Sequence, residues 1–278
     1  MKLLKSSKVI KEMIKMSNSS LVNYTRISPN KGNYVNGKWV AKRTHAIDTI
    51  SIHCVAGQAS VQGLGSLFAD PNREASSNYG IGYDGQIGMY VEEKDRSWCT
   101  SSSSNDNRAI TIEVASDSYH PYAVKDAAYK ALIKLLVDIC KRNKIEKLLW
   151  KGDPKLIGQV TKQNMTVHRW FANKACPGDW LYSRHGQIAN EVNKQLTAQN
   201  TKPTTKPSTS NKSKVPFKVR VSVYDLYIRA GAGTNTAKKR FIPKGVYTIV
   251  ETKKNQGYEW GKLKSGEGWI ALDYTTRL

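Results

Sequence analysis

The sequence predicts an α/β domain with a mixed central sheet flanked by helices, followed by a linker and a small all-β barrel. Two β-branched apolar runs, at 48–54 and 109–115, are typical of buried strands, and the amphipathic pattern over 122–143 is typical of a helix that covers a sheet. From Thr197 the chain offers almost no apolar side chain to bury, which indicates a linker. Short alternating runs between glycines then fill 215–278, as expected of a small barrel.

These features divide the 278 residues into four predicted segments. They are a basic leader over 1–20, a domain over 21–196, the linker over 197–214 and the barrel over 215–278. The leader carries lysines throughout and no uninterrupted apolar core, which argues against a cleaved signal peptide and favours a poorly packed extension. A short basic amphipathic helix at a membrane surface is the alternative. Turn formers over 21–43 predict an irregular entry to the domain.

The charge balance narrows the class of partner. Lys and Arg number 44 against 22 Asp and Glu, a formal net charge of +22. Such a field favours polyanions and resists self-association, so we expect a monomer that binds nucleic acid or a phosphate-rich wall polymer. The charge is spread along the chain without a nucleic-acid motif, which excludes nucleic acid as the expected partner. No apolar run reaches 18 residues, so stable membrane insertion is not expected either.

Alternation predicts the strands of the first domain. Ile50 and Ile52 alternate with Ser51 and His53, which places His53 near the carboxyl end of a strand. Two further alternating runs flank Asp84-Gly85 and predict a hairpin over 79–91. Helices are expected around 61–68, over 122–143 and over about 180–194. The small polar run 100–106 predicts either a flexible loop or a loop that contacts substrate.

One short stretch concentrates the chemistry. Seven residues separate His168 from Cys176, with Lys174 two residues before the cysteine and a Pro-Gly turn after it. Imidazole and thiolate are ligands that zinc accepts, and a catalytic zinc site needs three protein ligands. His53 is the best candidate for the third. The alternative is a half-buried, hydrogen-bonded His53 with Cys176 as a small buried apolar residue.

Glu113 is the lone carboxylate of an apolar strand. Such a group must be paired, linked to a metal or kept partly protonated, and each of these states suits a catalytic acid-base. We therefore expect Glu113 to deprotonate the attacking water and to protonate the leaving amine. The alternative is a structural glutamate bonded to an arginine or a backbone amide.

The four cysteines show neither the density nor the spacing of a disulfide framework. With Cys176 assigned to metal, we interpret Cys54, Cys99 and Cys140 as free thiols made in a reducing compartment. One bridge among them is the alternative.

Several of these elements together resemble the zinc amidases related to the peptidoglycan recognition proteins, over roughly residues 21–196. The elements are His53, the hairpin segment Ser77-Asn-Tyr-Gly-Ile-Gly-Tyr-Asp-Gly85, Trp98, Ile110-Thr-Ile-Glu113-Val and His168 with Lys174-Ala-Cys176-Pro-Gly178. The resemblance implies an N-acetylmuramoyl-L-alanine amidase with one Zn²⁺, which cuts the bond between the lactyl group of the glycan and the first residue of the stem peptide. It also implies that Lys174 stabilises the oxyanion.

The resemblance further suggests four substrate-binding candidates, and here the sequence departs from the family. Ser77 stands where many relatives have a tyrosine, Asn78 where they have a histidine, and Cys99 where a histidine follows the tryptophan that is Trp98 here. A transition-state role for a tyrosine is therefore in doubt, and more weight falls on Glu113 and Lys174.

The final segment resembles bacterial SH3-type domains over roughly 216–278. Leu226-Tyr-Ile-Arg-Ala-Gly-Ala-Gly and Gly268-Trp-Ile-Ala-Leu carry this resemblance. Residues 201–278 hold 16 Lys and Arg against 5 Asp and Glu. A basic barrel rich in Tyr and Trp suggests binding to anionic wall polymers or to glycan and peptide. The alternative is a solvated basic surface on a structural tail.

Three function classes follow. The first is a peptidoglycan hydrolase like the endolysins of bacteriophages, made in the host cytoplasm and acting at the cell wall after the membrane is permeabilised; a secreted autolysin is the variant of this class. The second is a protein that binds peptidoglycan without cutting it, which the complete ligand set argues against. The third is a cysteine-nucleophile endopeptidase that uses Cys54 or Cys99.

Overall fold

A computed structural model describes residues 18–200, 215–223, 226–255 and 258–278. The predicted leader up to residue 17 and the linker from 201 to 214 lie outside the described residues. The chain separates into two compact units between Thr201 and Lys202. No helix in the described ranges is both long and apolar enough to cross a membrane.

The first unit is built on a mixed sheet of six strands. They are β1 Tyr24–Thr25, β4 Thr49–Cys54, β5 Tyr79–Ile81, β6 Ile87–Met89, β7 Ala109–Val114 and β8 Met165–Thr166. Their order across the sheet is β1-β6-β5-β7-β4-β8. Only β5 and β6 pair antiparallel, as the predicted hairpin requires, and the other neighbours in this sheet are parallel. The mixed central sheet is thus confirmed.

In the described part of the first unit, three helices lie near the ranges that the amphipathic patterns predict, and a short fourth one overlaps the run 100–106, where a loop was predicted. They are α1 Val61–Ala69, α2 Ser103–Arg108, α3 Asp126–Arg142 and α4 Gly178–Asn200. The apolar side of α3, including Leu132, Leu135 and Leu136, is fully buried in the main core. The last helix runs six residues beyond the predicted end at 194, so the predicted linker does not begin at Thr197.

Along strands β4 and β7, alternating side chains lie on the two faces of the sheet, with core residues on one face and candidate site residues on the other. Ile50 and Ile52 of β4 belong to the main core, together with Ile110 and Ile112 of β7. Since side chains alternate across a strand, His53 and Glu113 point to the opposite face of the sheet. The two strands are parallel and in register, with His53 opposite Glu113.

The entry segment 21–43 is not irregular, contrary to the expectation from its turn formers. It contains β1 and a separate two-stranded hairpin, β2 Asn33–Val35 and β3 Lys38–Val40. Asn36 and Gly37 make its turn with φ of 49° and 78°. Positive φ at both central residues defines the tight turn that matches strand twist, and an Asn-Gly pair adopts it readily.

The second unit is an antiparallel sheet of seven strands. They are β9 Phe217–Val221, β10 Tyr227–Arg229, β11 Lys238–Phe241, β12 Gly245–Asn255, β13 Tyr258–Leu263, β14 Trp269–Ala271 and β15 Thr275–Arg277. Their order across the sheet is β11-β10-β14-β13-β12-β9-β15. The buried cluster of this unit includes Val219, Ile228, Ile249, Trp260 and Ile270. The all-β region is confirmed, while the SH3-type assignment stays a prediction.

Candidate metal centre and its cleft

The three predicted metal ligands meet at one point of the first unit. His53 is the penultimate residue of β4, His168 opens a short helical turn, His168–Trp170, that follows β8, and Cys176 precedes α4. One ligand atom from each lies within 4.8 Å of the others. His53 Nδ1 is 3.4 Å from Cys176 Sγ, and the two imidazole centroids are 5.2 Å apart. The structure therefore brings together residues that are more than a hundred positions apart.

Backbone hydrogen bonds shape the loop that carries two of these residues. The Arg169 amide donates to the Cys176 carbonyl at 3.1 Å, and the Lys174 amide donates to the Ala172 carbonyl at 2.8 Å. Gly178 closes the loop with φ of +77°, and a Cβ there would lie 2.6 Å from Tyr122 Cβ. The Pro-Gly end of the motif thus lets α4 begin directly behind Cys176.

Two serines that the sequence analysis did not identify orient the imidazoles. Ser51 Oγ lies 3.1 Å from His53 Nε2, and Ser101 Oγ lies 3.0 Å from His168 Nε2. The other ring nitrogen of His53, Nδ1, is the one that faces Cys176 and Glu113. Hydrogen bonds of this kind fix the orientation and tautomer of a metal-binding histidine.

A signal for one of these serines was available in the sequence. Ser51 stands two positions before His53 and so shares its face of β4. Ser101 gave no such signal, because its place depends on a backbone φ of +61° that only the folded chain shows.

The electrostatics of the three residues suit a cation. Burial, with smaller contributions from His168 and His185, lowers the pKa of His53 to about 3, so its nitrogen lone pair is available at neutral pH. Burial and Lys174 likewise lower the pKa of His168. A hydrogen bond with Cys54, burial and Glu113 raise the pKa of Cys176, so its thiolate needs a cation beside it. Two neutral imidazoles and one thiol at these separations fit the donor set of a zinc site.

Glu113 lies beside the candidate ligands with one oxygen unsatisfied. Its Oε1 is 3.8 Å from His53 Nδ1 and 3.9 Å from Cys99 Sγ, and its Oε2 is buried without a hydrogen-bond partner. Burial and, to a lesser extent, Cys54 raise the pKa of Glu113 to about 8, against the opposing effect of Arg73. No arginine or backbone amide among the described residues bonds this carboxylate, so the structural alternative has no support. His53, Cys99 and Glu113 form a second group that could hold a metal, but it shares His53 with the first.

The remaining thiols are free in the structure, as expected. Burial and Glu113 raise the pKa of Cys99 well above its usual range, the opposite of what a nucleophilic thiolate requires. Cys54 is hydrogen-bonded to Cys176. The Cys54 amide donates to the Cys176 sulfur at 3.5 Å, and a hydrogen bond between the two thiols lowers the pKa of Cys54. Cys140 is fully buried in the main core.

His168 and Cys176 line an open cleft of about 570 Å³, and His53 lies fully buried beside them. Glu113, Lys174, Trp98 and Cys99 also line it, as their predicted roles require. The cleft contains residues of both charge signs and several serines. Three cations reach into its lining, namely Arg73, Arg96 and Lys174.

Two predicted substrate contacts are wrong. Ser77 and Asn78 are fully buried and do not line the cleft. The Ser77 hydroxyl donates to the Tyr79 carbonyl at 2.8 Å. The Asn78 side-chain oxygen accepts from the Arg43 guanidinium at 2.9 Å and from the Thr111 amide at 3.1 Å. Both residues therefore hold the sheet together behind the site.

The polar run 100–106 is ordered rather than a flexible loop. Ser102 caps α2, and the Asp106 carboxylate accepts from the Cys99 amide at 3.0 Å and from the Thr100 hydroxyl at 2.7 Å. These bonds hold Ser101 over His168. The run reaches the cleft through 101–103.

Comparisons with known proteins found one family model and several solved structures that are similar to this chain. Residues 43–179 match the family model described as N-acetylmuramoyl-L-alanine amidase. The chain is similar to a mutant endolysin from Bacillus subtilis, with 15% identity and a TM-score of 0.44 over 62% of this chain and 99% of the other. It is also similar to the endolysin N-acetylmuramoyl-L-alanine amidase LysCS from Clostridium intestinale, with 13% identity and a TM-score of 0.40 over 64% and 99%.

A third solved structure is the Drosophila peptidoglycan recognition protein SA, with 17% identity and a TM-score of 0.39 over 51% of this chain and 79% of that one. No curated protein matches the sequence. The family match covers His53, Glu113, His168, Lys174 and Cys176.

Proposed function

We propose that residues 43–179 form a domain of the N-acetylmuramoyl-L-alanine amidase family. We further propose that this domain cuts peptidoglycan between N-acetylmuramic acid and L-alanine. The observation that carries the proposal is the convergence of His53, His168 and Cys176 beside the unpartnered oxygen of Glu113. A protein that only binds peptidoglycan would have no need of this arrangement.

His53, His168 and Cys176 would hold the zinc ion. When bound there, zinc supplies Lewis acidity, which polarises a carbonyl group and makes water more acidic. Ser51 and Ser101 hold the two imidazoles in position for this task.

Glu113 moves the proton. Its buried carboxylate takes a proton from the attacking water as the oxygen adds to the lactyl carbonyl carbon, and then gives that proton to the nitrogen of L-alanine as the amide bond breaks. The products are a free lactyl carboxylate and a free amine. The raised pKa of Glu113 suits a group that must both accept and release a proton near neutral pH.

Lys174 supplies positive charge at the cleft. We infer that its ammonium stabilises the negative charge that develops on the carbonyl oxygen, an effect worth a few kcal/mol per donor in such sites. This division of labour leaves no catalytic role for a tyrosine, in agreement with the departure from the family at Ser77.

The second unit is proposed to be an SH3-type domain that binds the wall. Residues 201–278 hold 16 basic against 5 acidic residues, which supports attraction to anionic wall polymers. Tethering of this kind raises the local concentration of an enzyme on an insoluble substrate. We expect the full chain to sediment with purified sacculi at moderate salt and a chain truncated after residue 201 to stay largely in the supernatant. Equal sedimentation would refute targeting by this unit.

We further propose that the protein acts as an endolysin, made in the host cytoplasm of a bacteriophage and released onto the wall when the membrane is permeabilised; a secreted autolysin is the alternative. The decisive experiment is to digest purified sacculi and identify the new ends. Free lactyl groups together with free L-alanine amines are expected, whereas reducing sugar ends would mean a glycosidase. Activity should disappear with a zinc chelator and return with zinc, whereas loss only on alkylation would favour a cysteine nucleophile.

A further inference from the structure

The β2–β3 hairpin exposes two large aromatic side chains that the fold does not use. Tyr34 and Trp39 face each other across the two strands, with ring centroids 5.5 Å apart. Their exposed fractions are 66% and 63%. Leaving large apolar side chains in water forgoes the favourable free energy of burying them. The hairpin forms a sheet of its own, so the main sheet gains nothing from these rings.

The two rings are connected to the catalytic cleft through a third aromatic side chain, Trp98. Trp39 lies 5.4 Å from Trp98, centroid to centroid, and Trp98 lines the cleft next to Cys99. The guanidinium of Arg96, which also lines the cleft, lies 5.9 Å from the Trp98 ring centroid. Tyr34, Trp39 and Trp98 thus form a continuous aromatic strip that leads from solvent to the cleft.

The strip is held firmly at its base. The Trp98 indole donates to the Gly32 carbonyl at 2.9 Å, and the Asn33 amide group bonds the Lys42 carbonyl and the Asn107 side chain, each at 3.1 Å. Gly32 has φ of +98°, and a Cβ there would lie 2.6 Å from the Val40 carbonyl oxygen. The hairpin therefore presents its rings in a fixed place, so little ordering entropy is lost when a ligand binds.

The chemistry of such a strip suits a sugar chain. The C–H face of a pyranose ring packs on the negative face of an aromatic ring, and the tyrosine hydroxyl and the arginine beside the rings offer hydrogen bonds to hydroxyl and acetamido groups. The centroid spacings of 5.5 and 5.4 Å are comparable to the length of one sugar unit. The rings are tilted by 63° and 45° to one another, so each can take a differently oriented unit.

We propose that the aromatic strip of Tyr34, Trp39 and Trp98 binds the glycan chain of the substrate, on the units next to the muramic acid whose lactyl amide enters the cleft. This inference rests on the proposed function, because continuity with the catalytic cleft selects a glycan over other ligands of exposed aromatic rings. Trp39 and Tyr34 are positioning residues: they hold the polymer and touch no reacting atom.

The binding test uses the full chain and a soluble β-1,4-linked N-acetylglucosamine hexamer, measured by isothermal titration calorimetry. The Trp39→Ala variant should bind this oligosaccharide about tenfold more weakly, because one ring contact is lost. Trp39→Phe should recover part of the affinity. Tyr119→Ala is the matched control, since Tyr119 is 69% exposed and does not line the cleft.

Equal affinity of the wild type and Trp39→Ala for the hexamer, or no binding by the wild type, would overturn the proposal. A single-stranded oligonucleotide serves as the competing probe, since bases also stack on exposed aromatic rings. If Trp39→Ala lost oligonucleotide binding and kept hexamer binding, the strip would be a nucleic-acid contact instead. Thermal unfolding of each variant checks that the fold is retained.

A kinetic comparison separates this inference from the proposed function. On sacculi the Trp39→Ala variant should show a KM raised about tenfold, whereas turnover of a soluble muramyl peptide with one sugar unit should not change. If the wild type released no lactyl and L-alanine ends, the proposed function would fail. If the wild type released them and Trp39→Ala matched it on sacculi, only the strip assignment would fail.

Discussion

The two faces of strands β4 and β7 meet different demands with alternating residues of the same sequence. On one face, Ile50, Ile52, Ile110 and Ile112 are fully buried against the helices. On the other, His53 and Glu113 stand side by side, and Glu113 lines the cleft. The apolar face can be satisfied by any side chains of suitable volume, whereas the polar face depends on individual atoms.

The strands therefore place two of the site residues, and the catalytic function depends on individual side chains rather than on the packing of the apolar face. The parallel register sets His53 opposite Glu113, and the remaining members of the site come from loops that end at the same edge. Damage to the polar face should therefore abolish activity in a folded protein. Damage to the apolar face should lower stability and leave the site intact.

Loss of a metal ligand should give the largest effect. The Cys176→Ala variant should lose bound zinc and at least about a thousandfold in turnover on sacculi, because the ligand set falls from three to two. Metal content and amine release are the measurements. Cys140→Ala, which removes a buried thiol far from the cleft, is the control and should keep zinc. A Cys176→Ala protein with full zinc and full turnover would contradict the ligand assignment.

Removal of the proton carrier should separate metal binding from chemistry. Glu113→Gln should keep zinc and lose about 10² to 10⁴ in kcat, since an amide cannot accept the proton. Glu74→Gln is the matched variant, because Glu74 also lines the cleft but bonds none of the ligands. Full activity in Glu113→Gln with full metal would remove Glu113 from the mechanism.

On the apolar face the effect should appear in stability alone. Ile112 is the neighbour of Glu113 in β7 and is fully buried. Ile112→Ala should lower the free energy of unfolding by about 2–5 kcal/mol, and Ile112→Val by about 0.5–1.5 kcal/mol. Urea unfolding measures this loss, and kcat at low temperature should stay near that of the wild type. A kcat that fell in Ile112→Val without loss of stability would show that the two faces are not independent.

A buried histidine should make the first unit sensitive to acid. His185 Nδ1 donates to the Leu181 carbonyl at 2.8 Å, while Nε2 is buried without a partner among the described residues. Burial lowers the pKa of His185 to about 4. The unfolded chain takes up this proton near pH 6.5, so stability should fall as pH drops from about 6.5 to 4, by up to roughly 3 kcal/mol.

The His185→Gln variant should flatten this pH dependence of unfolding, measured in urea at pH 7 and pH 5. The exposed His45 provides the control, and His45→Gln should keep the wild-type slope. An unchanged slope in His185→Gln would assign the acid sensitivity to other groups.

The smallest effect is expected from the serines that orient the ligands. Ser101→Ala should weaken zinc affinity about 10- to 100-fold without loss of the fold, because His168 then loses the bond that fixes its ring. Competition with a fluorescent chelator measures this change. Ser104→Ala, in the same polar segment, should leave zinc affinity as it is, and a similar loss in both variants would point to a general effect of the segment.

The parts of this protein that the sequence predicts are those where a local pattern carries the information. Alternation in β4 and β7 identified the strands of His53 and Glu113, and the spacing of His168 and Cys176 identified the loop. The hairpin Asn33–Val40 was missed because its two strands have only three residues each, too few for alternation to show. Strand β11 was missed for a different reason: its sequence Lys-Lys-Arg-Phe is exposed throughout and has no buried face to mark it.

Side-chain roles that depend on packing were beyond the reach of these patterns. Ser77 and Asn78 were assigned to substrate from the family resemblance, but the fold turns both into the interior. The contact between Ser101 and His168 joins segments 67 positions apart and required the folded chain to be seen.

The distance along the chain between His53 and Cys176 has a mechanical consequence. The two residues are 123 positions apart, so an ion shared by them would act as a cross-link closing a loop through most of the first unit. Such a closure removes chain entropy from the unfolded state, and the gain grows with the length of the loop. The ion that activates the substrate would then also stabilise the folded state. In a cell poor in zinc, the protein would be both inactive and more susceptible to proteolysis.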